Sequence, residues 1–215
     1  MRGSNMKVTD FKDTIEWYNR NAQYYADKAS RVDTSAHIDE FVALLPKGAM
    51  VLDAGCGSGR DTKRLSDRGL QVQGIDISTG LLEVAKKSFP DLQFVEGDLR
   101  KLPFRNETFD GIWVCASLLH LETVEDVEKA FGELHRILRR GGVVYGCVKQ
   151  QLDNKKTAVV SDAVTKHDRF FQYFTLDEVQ KLLVKSNFEV TKTAQDDDLQ
   201  GRPEVRWILF IGKKK

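Results

Sequence analysis

The sequence predicts a doubly wound α/β fold on a seven-stranded, mostly parallel sheet. Three observations carry that expectation. From residue 50 onward, short β-branched runs alternate with amphipathic stretches, the pattern of βαβ units set side by side. Between the fourth and fifth runs, Val124, Val127, Phe131, Leu134 and Leu138 recur at intervals of three and four, which places them on one face of a helix. The last two runs follow one another with no helical stretch between them, so they should close the sheet as an antiparallel hairpin.

Ahead of the first strand, residues 14–30 and 35–45 read as helices, bounded by the turn signals Asp33-Thr34-Ser35 and Pro46-Lys47-Gly48. The expected strands are residues 50–53, 71–76, 92–95, 109–115, 143–148, 188–193 and 205–211. Gly141-Gly142 should end the helix that contains Val127, since glycine accepts the left-handed conformation that closes a helix. A further helix should start after Thr175, where Thr175-Leu176-Asp177-Glu178 has the spacing of a capping box, and run to about Ser186. Phe174, just ahead of that cap, suits a hydrophobic staple. A polar loop at 195–203 separates the two strands of the closing hairpin.

A chain of 215 residues, 41% apolar and 30% charged, suits one large core rather than a disordered or membrane-spanning protein. No apolar run is long enough to cross a bilayer, and no secretory signal opens the chain, so cytoplasmic residence is expected. Lys plus Arg (33) balance Asp plus Glu (32), which disfavours nucleic acid as a partner. Cys56, Cys115 and Cys147 are odd in number and far apart, fitting neither a disulfide framework nor a zinc site, and should pack as small apolar residues.

Chemistry concentrates in Asp53-Ala54-Gly55-Cys56-Gly57-Ser58-Gly59, where an apolar strand ends in an acid and runs through glycines into a helix. Glycines let backbone approach a ligand, and a helix start offers free N–H groups. A dinucleotide site would space its glycines G-x-G-x-x-G, whereas Arg60 stands where that spacing needs the third one. The segment resembles the first motif of the class I S-adenosylmethionine-dependent methyltransferases, which are Rossmann-like, and the resemblance extends through most of the chain in the manner of the small-molecule enzymes. It implies S-adenosylmethionine as cosubstrate, with S-adenosylhomocysteine as product, and a loop in which Asp53, Gly55 and Gly57 meet it. Asp76, followed by Ile77 at the end of the second strand, would hold the ribose hydroxyls. Asp98 and Leu99, in Glu96-Gly97-Asp98-Leu99, would meet the adenine. Cys115, ending the fourth strand, would border the methionine portion.

The opening Met1-Arg2-Gly3-Ser4 reads as an expression leader, set at residues 1–5 with Met6 the expected start, and one methyltransferase domain is expected at 6–215. Within it, 6–48 would be a helical cap, 49–150 the cofactor-binding half and 151–215 the C-terminal half. The expected reaction moves a methyl group to an oxygen or nitrogen of a small-molecule acceptor. Positioning and exclusion of water can supply much of the acceleration. A base is needed only where the acceptor must lose a proton, and His120, just beyond the fourth strand, is placed for it; packing or helix initiation is its other reading. His37, His135 and His167 rank below it. Cys115-Ala116-Ser117-Leu118 stands where amino-group methyltransferases carry Pro-Pro with an aromatic and where metal-dependent relatives carry an acid, so no metal is expected. Tyr18, Ala22 and Tyr25 share a helical face; Tyr18 suits packing, and Tyr25 suits either packing or a lid. The aromatic run at 169–174 suits a pocket wall or a helix anchor. Three other readings stay open: a methyltransferase acting on tRNA or protein through a patch of Lys149, Lys155, Lys156 and the terminal lysines, which are otherwise a solvated surface; a nicotinamide-dependent oxidoreductase; and a non-catalytic module that binds the cosubstrate.

Overall fold

A computed structural model describes residues 11–161 and 168–215. The leader, Met6 and His167 lie outside the described residues. Seven strands form one sheet in the order β3-β2-β1-β4-β5-β9-β8. They are β1 (Met50–Ala54), β2 (Gln71–Asp76), β3 (Gln93–Glu96), β4 (Phe109–Cys115), β5 (Leu138–Lys149), β8 (Phe188–Asp197) and β9 (Arg206–Lys214). Strands β1 to β5 run parallel, while β9 lies antiparallel to both β5 and β8, which is the expected closing hairpin. Helices α4 (Arg60–Ser66), α5 (Thr79–Ser88), α6 (Val124–Ile137) and α7 (Leu176–Lys185) connect the strands, and α1 (Phe11–Arg20), α2 (Ala22–Ala29) and α3 (Ser35–Val42) precede them.

The helix expected over 14–30 is two helices that meet at Asn21. On α6, Val127, Ala130, Phe131, Leu134 and Ile137 are buried against the sheet, whereas Val124 stands exposed in the first turn, beyond the reach of the core. Each buried leucine or phenylalanine there contributes about 1.5–3 kcal/mol. Gly141-Gly142 do not end α6. The helix stops at Ile137 because Leu138 turns extended and pairs with Phe109, so the glycines fall inside β5, at the irregular register between Phe109 and Gly111. The capping box at Thr175 is present, with its side chain accepting from the Glu178 N–H and Glu178 returning a bond to Thr175 N–H.

A second, two-stranded sheet was not legible in the pattern: β6 (Thr157–Ser161) pairs antiparallel with β7 (Asp168–Gln172). The aromatic run is therefore a strand, whose Arg169 and Phe171 line a cavity as a pocket wall should, followed by an anchor. Phe171 is buried within β7, and Phe174 sits buried ahead of the cap as a staple should.

Strand order reverses at β1. The chain leaves β1 toward β2 and β3, then returns to place β4 on the other side, and a crevice opens at the carboxyl ends of these strands.

Candidate active site

Gly55 and Gly57 both lie at positive φ (82° and 54°), which glycine adopts without strain. At Gly55 the need is also steric, since a Cβ would come within 2.3 Å of the Ser117 Cβ. That close approach lets Ser117 Oγ donate to the Ala54 carbonyl at 2.9 Å, closing the loop after β4 onto the loop after β1. Asp76 ties this loop to the next: one carboxylate oxygen accepts from Gly57 N–H and the other from Ser78 N–H, each at 2.8 Å. Burial raises its pKa above the ordinary carboxylate value, against the pull of the Ser78, Gly57 and Ile77 N–H groups. An oxygen that accepts one bond keeps a second lone pair, so Asp76 can still receive a vicinal diol, one hydroxyl on each oxygen.

The resulting cleft has about 690 Å³ of space, open to solvent at its mouth, and Gly55, Gly57, Asp76, Ile77, Asp98, Leu99, Ala116, Ser117 and His120 line it. Helices α1 and α2 cover it. Asn19 of α1 accepts from Ser78 Oγ at 2.8 Å and Gly80 N–H at 3.1 Å, pinning α1 to the start of α5. Arg60 donates to the Ala29 carbonyl at 2.8 Å and to both oxygens of Asp61, while Arg64 donates to the Val32 carbonyl, so the residues after the glycine loop hold the end of α2. This accounts for an arginine at the third position of the dinucleotide spacing.

Tyr18 and Tyr25, packed edge to face at 5.0 Å, form the wall between this cleft and a second cavity. Ala116 and His120 complete it, since both line both spaces. Ala116 holds φ 59°, a costly conformation for a residue with a Cβ, at the end of β4. His120 Nδ1 lies 2.8 Å from the Phe170 carbonyl, which can only accept, so Nδ1 carries the proton and Nε2 accepts from the Tyr18 hydroxyl at 3.0 Å. Burial, with the nearby Arg169 and Lys149 charges, lowers the His120 pKa from 6.5 to about 3. The imidazole is thus neutral across the physiological range. Burial pushes the Tyr18 phenol well up, which keeps it a donor, and Arg169 donates to its oxygen at 3.3 Å.

The second cavity is larger, about 1180 Å³ and open at one side, and is lined by aromatic, cationic and acidic residues from the N-terminal helices, β5, β7 and the β8–β9 hairpin. Cys115 and Cys147, paired in register on β4 and β5, lie in its floor. Lys149 is not part of an outer solvated surface: it ends β5 inside this cavity, 3.7 Å above the Phe171 ring. Lys214 is also buried and donates to the Leu138 carbonyl.

Of the residues singled out from sequence, Tyr25, Gly55, Gly57, Asp76, Ile77, Asp98, Leu99 and His120 meet at the cleft. Cys115 faces the second cavity instead. Asp53 is buried below the loop and accepts from Thr62 Oγ1 at 2.6 Å; burial and the Asp61 carboxylate raise its pKa to about 7. Asp98 reaches the cleft, but its carboxylate is held by the Arg100 guanidinium at 2.6–3.0 Å. His37 lies in the second cavity against Asp196 at 3.0 Å, and His135 packs on Phe188 far from either space. Tyr18 does more than pack, for it bonds His120. Asn19 and Ala116 were missed, and Arg169, although part of the run expected as a pocket wall, had no role of its own; its bond to Tyr18 and that of Asn19 to Ser78 reach partners distant in the chain.

A glycine-built loop at a strand-order reversal, an acid ending the next strand and a helical cover define an α/β protein of the nucleoside-binding kind. Comparison with known proteins narrows this. Residues 52–146 match the family model described as a methyltransferase domain. The malonyl-[acyl-carrier protein] O-methyltransferase of Pectobacterium atrosepticum is 33% identical over 138 residues, 60% of this chain and 53% of that protein. The demethylmenaquinone methyltransferase of Renibacterium salmoninarum is 36% identical over 95 residues, 44% of this chain and 39% of its own. Among solved structures, the Burkholderia thailandensis 1,6-didemethyltoxoflavin-N1-methyltransferase, with 1,6-didemethyltoxoflavin and S-adenosylhomocysteine bound, shares the fold at TM-score 0.72 and 21% identity over 95% of this chain and 87% of its own. Over this stretch the chain is similar to the class I S-adenosylmethionine-dependent methyltransferases. It spans about half the length, or less, of these two curated relatives.

Proposed function

We propose that the chain transfers the methyl group of S-adenosylmethionine to an oxygen or nitrogen of a small-molecule acceptor, with no metal ion taking part. One observation carries this reading: the glycine-loop cleft and the second cavity share a wall at Tyr18, Tyr25, Ala116 and His120, so two small molecules can meet there. Asp76 would hold the ribose hydroxyls, Gly55 and Gly57 would let the backbone approach the amino-acid portion, and Leu99 with Asp98 would border the adenine. The cosubstrate supplies an activated methyl group on a sulfonium; the protein's part is to align it and keep water out.

His120 and Tyr18 would position the acceptor at the shared wall. The imidazole, held neutral by burial and by the Arg169 and Lys149 charges, fixes the Tyr18 hydroxyl through Nε2 and is a poor destination for a proton, so a proton lost by the acceptor would leave to solvent. Among the described residues no helix is long and apolar enough to cross a membrane. Calorimetry with S-adenosylhomocysteine tests the cleft. Methyl-labelled cosubstrate, offered with fractionated metabolites, tRNA and protein, tests the acceptor class. Label entering only tRNA or protein overturns the small-molecule reading, and no affinity for the product overturns the whole of it.

A further inference from the structure

The second cavity has a charge arrangement that the wall residues do not balance. Asp198 accepts from Arg202 at 2.7 Å and from Trp207 Nε1 at 3.0 Å, Asp196 faces His37, and Asp197 is paired with Arg206. Every acid on that side therefore has its own partner. Lys149 and Arg169 form no ion pair with a carboxylate among the described residues; Asp198, already bonded to Arg202, acts on Lys149 only through space. Arg169 lies 4.3 Å from the Trp17 ring and 5.4 Å from the Phe171 ring, and its Nε is buried without a hydrogen-bond partner. Lys149 Nζ lies 3.7 Å from the centroid of the same Phe171 ring.

Two partly buried cations that converge on one apolar ring repel one another and lose part of their hydration; the arrangement gains when an anion joins them. Burial, then the Arg202 and Arg169 charges, lowers the Lys149 pKa from 10.5 to about 8 against the opposing pull of Asp198, the direction of a cation that its surroundings do not fully compensate. A guanidinium with a free N–H edge suits a carboxylate, which accepts two parallel bonds. Aromatic faces on either side suit the flat body of a small molecule.

We propose that the second cavity binds an acceptor bearing a carboxylate, which is anchored between Lys149 and Arg169 while the atom to be methylated reaches the wall at Ala116 and His120. This rests on the methyltransferase reading for the second clause only; the anion site stands on the cavity itself. The anchor is a binding group and takes no part in the bond changes.

Trp17, Trp113 and Trp207, the three tryptophans of the chain, all line this cavity, so intrinsic fluorescence reports its occupancy without any turnover. The probes are 4-hydroxybenzoate and its neutral counterpart 4-hydroxybenzamide, titrated into the parent, Lys149→Gln and Arg169→Gln. The parent should prefer the acid by about tenfold or more, the value of a charge-assisted pair, and each variant should lose most of that preference. Lys149→Gln carries the test where Arg169→Gln, which also loses a bond to Tyr18, fails to fold. Equal affinity for acid and amide, no binding of the acid, or a preference that survives in the folded variants overturns the proposal. Product calorimetry on the same samples separates the two readings: binding of S-adenosylhomocysteine without acid preference removes the anion site alone, and acid preference without product binding removes the methyltransferase reading alone.

Discussion

The cleft at the ends of β1 to β4 is walled by short runs of neighbouring residues: the loop after β1, the Asp76-Ile77-Ser78 turn and the Gly97-Asp98-Leu99 turn. The cavity across the Tyr18 wall is assembled differently, with Trp17 from α1, Lys149 from the end of β5, Arg169 and Phe171 from β7 and Trp207 from β9. Backbone turns build the strand-end side of the first, beneath a cover from α1 and α2, and side chains from distant elements build the second. A site made of backbone tolerates almost no change at its glycines and can recur in many proteins unaltered. One made of single side chains can be re-specified one residue at a time, which is how a common cosubstrate site comes to serve different acceptors.

The largest effect expected from this difference lies at Gly55. A Gly55→Val substitution puts a Cβ 2.3 Å from that of Ser117 on a backbone at φ 82°, so the two loops must part. Binding of S-adenosylhomocysteine should fall below detection by calorimetry, with a clear drop in Tm. Parent affinity in a folded variant would show that the cleft does not depend on this closure. Asp76→Ala comes next, at about 2–4 kcal/mol in affinity, through lost charge-assisted bonds to the ribose. Part of that loss comes from the Gly57 and Ser78 N–H groups left without their acceptor, so Tm should fall as well. A stable variant with unchanged affinity removes the ribose assignment.

On the shared wall the expected changes are smaller and are read in pH. An ordinary imidazole near 6.5 would make methyl transfer fall as pH drops through 6.5, but His120 is held neutral down to about 3. Single-turnover transfer at saturating cosubstrate should therefore show no inflection at 6.5 from this residue, and His120→Gln should cost about tenfold at all pH values between 5 and 8. Stability carries the matching sign. The unfolded histidine takes up a proton near 6.5 and the folded one does not, so its contribution is present above 6.5 and is lost as pH falls toward 3. A parent profile with an inflection at 6.5 that vanishes in His120→Gln would show that the imidazole titrates freely in the working complex.

The same contrast explains what the sequence could disclose. Glycine spacing, strand-end acids and helix periodicity are local, so the sheet, its closing hairpin, the capping box at Thr175 and the loop at Gly55 to Gly59 were all legible. Lys149 was not, because a lysine ending a strand reads as surface until the strand it neighbours is known; here it pairs with Trp207 of β9 and shares the cavity with Arg169 and Phe171 of β7. Tyr18 and His120 stand 102 residues apart and Tyr18 and Arg169 151 apart, distances over which no periodicity speaks. Gly141-Gly142 misled for a different reason: a glycine pair suits a helix end and a strand irregularity equally, and pairing of Leu138 with Phe109 decided between them.

The smallest expected effect concerns Asp53, which supports the backbone-built cleft from beneath. Burial, reinforced by the Asp61 carboxylate, raises its pKa from 3.8 to about 7, while the Thr62 hydroxyl opposes the shift. Below about pH 4 the carboxyl is protonated in both the folded and unfolded chain, and above about pH 7 it is ionised in both. Between those limits the folded protein holds a proton that the unfolded chain has released, so the parent loses stability as pH rises through the window. Asp76, raised in the same direction, and His120, lowered, also titrate, but both are present in an Asp53→Asn variant and cancel in the difference. The amide has the shape of the protonated acid and can accept from Thr62, so the variant should gain on the parent from pH 4 to pH 7 and hold a constant lead above it, by a few degrees in Tm. Thermal denaturation of both proteins across pH 4 to 9 measures the difference directly. A difference that stays flat from pH 4 upward means that Asp53 is ionised in the folded protein throughout, and that the loop above it rests on a charge rather than on a neutral acid.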